Sequence, residues 1–215
     1  MRRFLSLNPF LLLSAVVLLF LVGSVSAAGN YLPVRLPKGI TVELPINWTV
    51  LSNNQRINIA SWAQAKLESG GLIVASSDLA FASNYYDDQN KTAAMFNIRY
   101  YPDLNIAQSD SRASSSADIK ELDKALRDAV LSTQRSDIGF RLLSWIGTTK
   151  QNINGIVVFV TEYRRSSMAG DSPFRVRLVR VFNSERSFTI TISYREDQEF
   201  FLRPICNRVI NSIRM

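Results

Sequence analysis

Between residues 140 and 195 apolar positions recur at every second residue, and turn signals interrupt them at short intervals. "FRLLSWIGTT", "IVVFVTEYRR", "FRVRLVRVF" and "FTITISY" read as strands. Asn154-Gly155 lies between the first two and is a strong hairpin signal, because a tight two-residue turn needs positive φ at its centre. "SMAGDSP" and "NSERS" supply the next two turns. Strands joined this closely can only run antiparallel, so the segment is a meander. In the final strand Phe188, Ile190, Ile192 and Tyr194 alternate with Thr189, Thr191 and Ser193, which predicts one packed and one polar face.

A helix must cover that packed face. In "EDQEFFLRPICNRVINSIRM" Phe201, Ile205, Val209 and Ile213 recur every four residues, and Leu202, Cys206 and Ile210 form the adjacent row. The broad stripe predicts a helix lying on the sheet. Pro204 should kink it or begin its second half, since proline has no N–H to donate to residue 200. The fold class expected is therefore α+β, a twisted antiparallel sheet packed by helices.

The chain before residue 140 adds further elements. Ile40, Val42 and Leu44 alternate as a half-buried strand that Pro45 ends. "WTVL" forms a second short strand. "RINIASWAQAKLES" has Ile59, Trp62, Ala63 and Lys66 or Leu67 at helical spacing, and Gly70-Gly71 stops it. "LIVAS" and "AMFNIRYY" read as strands, with "SNYYDDQN" as the loop between them. Residues 102–116 read as a mobile, serine-rich connection. A helix then begins at residue 116. Ser115 and Asp118 have capping-box spacing, and Ile119, Leu122, Ala125, Leu126, Ala129 and Val130 fall on one face.

The N-terminus reads as an address. Arg2 and Arg3 precede "FLLLSAVVLLFLVG" at residues 10–23, and small residues follow. A charged start, a short apolar run and a small-residue junction describe a signal peptide, with cleavage expected after Ala27 or Ala28. The run is shorter than the roughly 20 apolar residues of a spanning helix, so no stable membrane anchor is expected after cleavage. Residues 1–28 are the expected leader and 29–215 a single domain, periplasmic or secreted. In an oxidising compartment the lone Cys206 should be buried, since it falls on the apolar stripe.

The chemistry available is narrow. The chain has no histidine and one cysteine, which removes the commonest general base and most metal sites. Neither a "GxSxG" elbow, nor an "SxxK" pair, nor a glycine-rich phosphate loop occurs. No enzyme, cofactor or metal is expected. Asp87, Asp88 and Asn90 lack the ligand number and turn glycine of a calcium loop and read as solvated. Net charge is +7, of which Arg2 and Arg3 supply two. The remainder is too diffuse for nucleic acid.

One cluster stands out. Arg164, Arg165, Arg175 and Arg177 gather around a single hairpin. If Phe182 pairs with Phe188, Arg177 lies opposite Ser193 and Arg175 opposite Arg195, on the polar face. Like charges directly opposite are unfavourable unless an anion or acidic partner sits between them. The cluster is therefore the candidate docking surface for an acidic envelope protein or an anionic surface. A solvated edge is the plainer reading of the same charges. Arg180 shares the phase of Val176 and Leu178, which predicts a buried stem paired with a carboxylate such as Glu162.

Leu36-Pro37-Lys38-Gly39-Ile40, Pro45 with Trp48, and Asn211-Ser212-Ile213-Arg214, in this element order, resemble the PsbP-like superfamily. The resemblance covers most of residues 36–213 by element order. It implies a PsbP/Mog-like fold and a non-catalytic protein that docks on a larger assembly, here a periplasmic or envelope one. The alternative is a small-ligand or lipid-binding module with a cavity between sheet and helices.

Overall fold

The computed structural model describes residues 30–69, 78–101, 106–135, 139–168, 170, 172–184 and 187–215. The expected leader and its cleavage site, "LIVAS" and Gly70-Gly71 lie outside these residues. The chain divides into two compact units, Met1–Tyr31 and Leu32–Met215. Apart from Tyr31, the elements below belong to the second. They are β1 (Tyr31–Arg35), β2 (Thr41–Pro45), β3 (Thr49–Val50), α1 (Asn53–Ser69), β4 (Asp78–Tyr86), β5 (Thr92–Tyr100), α2 (Gln108–Ala113) and α3 (Ser116–Arg135). β6 (Leu142–Ile153), β7 (Ile156–Arg165), β8 (Phe174–Val181), β9 (Phe188–Arg195) and α4 (Glu199–Asn211) complete the order.

A seven-stranded sheet runs β3-β4-β5-β9-β8-β7-β6, and β1 pairs with β2 separately. Every adjacent pair in the large sheet is antiparallel. The meander of β6 to β9 follows the sequence pattern. Asn154 (φ 51) and Gly155 (φ 84) make its first turn, the two positive φ values such a turn requires.

Both faces of the sheet are packed. On the first, Val179 and Val181 of β8 join Ile190, Ile192 and Tyr194 of β9 and Phe96 and Ile98 of β5 in a core at most 2% exposed. α4 covers this face with Leu202, Cys206, Val209 and Ile210. Its buried stripe is narrower than expected: Leu202, Cys206, Val209, Ile210 and, just beyond the helix, Ile213 are sealed, while Phe201 is 52% exposed and Ile205 is half-buried. The helix runs through Pro204. On the second face α3 packs over β6, where Tyr163, Phe174 and Val176 cluster with Val130, Leu142 and Trp145.

The segments at the two ends of the family resemblance meet. Leu36 N–H donates to Ile40 O (2.8 Å) across a turn in which Lys38 and Gly39 have φ of 61° and 82°. Thr41 and Arg214 exchange backbone hydrogen bonds of 2.9 and 3.0 Å. Ser212 Oγ accepts from Glu43 N (2.8 Å), and Arg208 binds Glu43 at 3.1 Å. Asn154 Nδ2 closes the assembly by donating to Asn211 O and Ile213 O, each at 2.8 Å. The end of α4 is thus pinned to β2 and to a hairpin turn.

Three local expectations change. "SNYYDDQN" is not all loop: β4 continues to Tyr86, and the turn is confined to residues 87–90, where Asp87 Oδ1 accepts from Gln89 N and Lys91 N. From residue 106 the serine-rich connection is ordered as α2. Gln108 bridges Val157 and Phe182 through their backbones, which anchors α2 on the sheet. α1 forms as expected, but Arg56, Ala60 and Ala63 face inward and Ile57, Ile59 and Trp62 stay 45–53% exposed. The Ser115–Asp118 capping box forms as predicted, with Ser115 N donating at 2.7 Å and Asp118 N at 3.2 Å. α3 packs through Ile119, Leu122, Leu126 and Val130, leaving Ala125 and Ala129 outside.

Candidate functional site

One end of the sheet gathers charge and exposed apolar surface. Here lie the β4–β5 turn, the start of β6, the β7–β8 loop and the junction between β9 and α4. β9 leads into a short 3-10 turn, Glu196–Gln198, and then into α4. Glu199 in the first turn of the helix suits its dipole. Phe200 follows it, and its ring is 98% exposed. Phe201 leans toward Tyr85 with ring centroids 6.3 Å apart.

The strand register decides where the arginines go. Val181, not Phe182, lies opposite Phe188, so Arg177 faces Ile192 and Arg175 faces Tyr194. The expected pairings are one residue out of step. The reason is burial: Val179 and Val181 are both fully enclosed, and a single-residue slip would have turned them out of the core. Arg175 and Arg177 share that phase and sit on the α4-covered face, not on the hydroxyl face of β9. That face is itself enclosed, with Thr189 and Ser193 buried.

Carboxylates from three elements meet these cations. Glu162 lies opposite Arg177 and binds its Nη2 at 2.7 Å, with Arg175 Nη1 at 3.9 Å. Glu199 approaches Arg175 Nε at 3.7 Å, and Asn207 of α4 accepts from Arg177 Nη1. Arg164 lies directly opposite Arg175 and grips Glu196 in a two-pronged pair of 2.5 and 2.6 Å. The partner that like charges require is supplied from within the chain. Glu196 is held below its ordinary value, first by its hydrogen bonds to Arg164.

Arg165 points to the opposite face. Its guanidinium lies 4.7 Å from the Phe174 ring centroid and 5.5 Å from that of Phe140. Desolvation pulls it below the ordinary arginine range. Arg180 also differs from expectation. It lies opposite Phe159 and Thr189, while Glu162 is on the other face and engaged elsewhere. Burial lowers its affinity for the proton. The four clustered arginines therefore divide three to one between the faces.

Asp87 is committed to structure. It pairs with the buried Arg195 at 2.8 Å, and Asp197 holds the same guanidinium at 2.9 Å. These residues line a polar cleft of about 330 Å³ with Asp88, Gln89, Lys91, Ser172 and Gln198. Among the described residues no cluster of His, Cys, Asp and Glu could hold a metal, and no helix is long and apolar enough to cross a membrane.

Cys206 is fully buried, as its place on the stripe predicted. Burial pushes its thiol up to about 12 from an ordinary 9.0. Tyr194 beside it is also pushed up to about 12, first by burial and then by Glu199. Both groups keep protons in the folded chain that the unfolded chain releases. Stability should therefore be intact below pH 9 and fall as pH rises from about 9 to 12. Denaturant midpoints measured across that range should fall more steeply for the native chain than for Cys206→Ala; parallel slopes would exclude the thiol's contribution.

Phe200 was not among the residues singled out from the sequence. The signal was present, since residue 200 lies on neither apolar row of α4, but an off-stripe phenylalanine reads as scatter until its exposure is known.

No family model and no curated protein sequence matches the chain. Solved structures do. The cyanobacterial PsbP (CyanoP) of Synechocystis is 16% identical over 90% of this chain and 98% of its own, with a TM-score of 0.52. PA94 of Pseudomonas aeruginosa, a protein of unknown function, is 14% identical over 87% and 98%, with a TM-score of 0.40. LpqN of Mycobacterium tuberculosis, involved in cell envelope biogenesis, is 13% identical over 85% and 88%, with a TM-score of 0.41. The chain has a PsbP-like α+β fold.

Proposed function

We propose that this chain is a non-enzymatic, exported docking protein that binds a periplasmic or envelope protein assembly through the α4 end of its sheet. The observation that carries this reading is Phe200. An aromatic ring held almost wholly in solvent at the start of an ordered helix gains nothing from the chain's own packing. Buried aromatic anchors ringed by polar contacts dominate association energies. Phe200 directly follows Glu199, which approaches Arg175, and comes four residues after Glu196, which holds Arg164, so polar groups adjoin it in the chain. Arg164, Arg165 and Arg175 lie at this end, and Arg177 stands one step inward. Arg164, paired with Glu196 but with its side chain 39% exposed, is the one best placed to meet an acidic partner or anionic surface, fixing orientation rather than supplying most of the affinity. The PsbP-like fold supports a docking role through the resemblance described above.

Phe200→Ser tests the reading. It removes no internal contact, so stability should change by no more than about 0.5 kcal/mol. Capture of the partner from an envelope extract should fall at least about tenfold, the loss of an anchor contributing more than about 1.4 kcal/mol. Unchanged capture would remove Phe200 from the interface.

A further inference from the structure

A second cleft, of about 540 Å³, opens between the end of α3 and the β7–β8 loop, lined by Gln134, Gly139, Phe140, Arg141 and Ser166. Its frame is closed on itself: Arg141 N donates to Ser166 Oγ and Ser166 N to Arg141 O, both at 2.8 Å. Arg141 forms no ion pair with a described residue. Gln134 Nε2 is buried with no hydrogen-bond acceptor. Arg165 stands over the Phe140 ring, and among the described residues its guanidinium has one hydrogen bond, to Ser166 O (2.9 Å), besides its ring contacts. Gly139 leaves the floor open at φ +86°, and Met168 lies 3.8 Å from where a side chain there would begin.

This pattern differs from the arginines of the other face, each of which meets a carboxylate. A half-buried guanidinium, a rim guanidinium and a buried amide donor all lack an anionic partner among the described residues. Unpaired buried donors are costly, and arginine forks fit oxyanions in two-point geometry. The Phe140 ring adds an apolar wall, and the volume is that of a small-molecule site. We propose that this cleft binds a small organic anion, with its phosphate or carboxylate group between Arg141 and Gln134 and its apolar body against Phe140. Arg165 is a positioning residue that raises the positive potential and holds the Phe140 ring.

The probes are phenyl phosphate, benzoate, inorganic phosphate and benzyl alcohol, titrated into the full chain by calorimetry. At least one aromatic oxyanion should bind tenfold or more tightly than inorganic phosphate and benzyl alcohol; which one it is separates the phosphate from the carboxylate source. Arg141→Gln and Gln134→Leu should each weaken that binding at least tenfold with the melting temperature unchanged. Arg165→Lys tests positioning: it retains charge but loses the planar stack on Phe140, and should weaken binding while shifting the Phe140 ring resonances. Phe200→Ser should leave binding unchanged, so this cleft and the docking surface stand or fall separately. Absence of saturable binding, equal binding of benzyl alcohol, or full affinity in the Arg141 and Gln134 variants would each overturn the proposal.

Discussion

Leu202→Asp is expected to abolish the native fold, or to leave it so weak that its melting transition lies near room temperature. Leu202 is fully enclosed beneath α4, against a sheet face whose nearest cations already hold carboxylates. A carboxylate placed there has no partner, and burying one unpaired costs about 3–5 kcal/mol or more. Small domains are stable by only about 5–15 kcal/mol. Ile210→Asp, at 5% exposure, should lose nearly as much. Ile205→Asp should lose less, since Ile205 is half-buried and its new carboxylate can turn to water. Arg208→Asp exchanges a surface pair with Glu43 for a repulsion, a change of about 1 kcal/mol. Urea unfolding of the four variants checks the order. Equal losses at 205 and 202, or a large loss at 208, would mean that α4 is rotated from the orientation described.

Glu162→Gln is also expected to destabilise the fold strongly. Glu162 is the shared carboxylate of Arg175 and Arg177, and all three side chains are 19–22% exposed. Removing its charge leaves two cations side by side under α4, Arg177 with only the neutral Asn207 and Arg175 with only the 3.7 Å approach of Glu199, while Arg177 Nε and Arg175 Nε already lack hydrogen-bond acceptors. Breaking such a pair costs about 2–4 kcal/mol, slightly below fully buried cases because some solvent reaches it. Arg175→Glu with Arg177→Glu should be worse, because it gathers acidic groups around Glu162 and Glu199. On the strand phase expected from the sequence, that double variant would have been silent for folding. Thermal unfolding separates the two: a melting temperature within a degree of the native chain would restore the outward phase.

That reversal shows what the sequence carries and what it leaves open. β9 has one apolar and one hydroxyl row, so its phase was plain. β8 does not. Its two rows are Phe174, Val176, Leu178, Arg180 and Arg175, Arg177, Val179, Val181; the first has three apolar residues of four, the second two, and each carries arginine. With both faces packed, alternation cannot choose between them; the register is set by the two valines that must reach the core. Glu162 was visible as a partner for an arginine, but the wrong one, because face assignment follows from that same register. α4 was legible because its stripe is broad, although Phe201 at its margin stays half in solvent. α1 was legible as a helix but not in orientation, since Ile57, Ile59 and Trp62 surround it rather than forming one stripe. At the α4 end of the sheet only the arginines were legible; Phe200 and the carboxylates around them were not, because that end is assembled from four segments that are distant in sequence.

The most direct measurement is in-cell photo-crosslinking from position 200, with a photoreactive phenylalanine replacing Phe200 and mass spectrometry identifying the adduct. An equivalent probe at Lys124, exposed on α3, reports non-specific contact. Docking through the α4 end predicts a discrete protein adduct from position 200, its yield falling with added salt, and none of that mass from position 124. No adduct from position 200, or the same adduct from both positions, would contradict it.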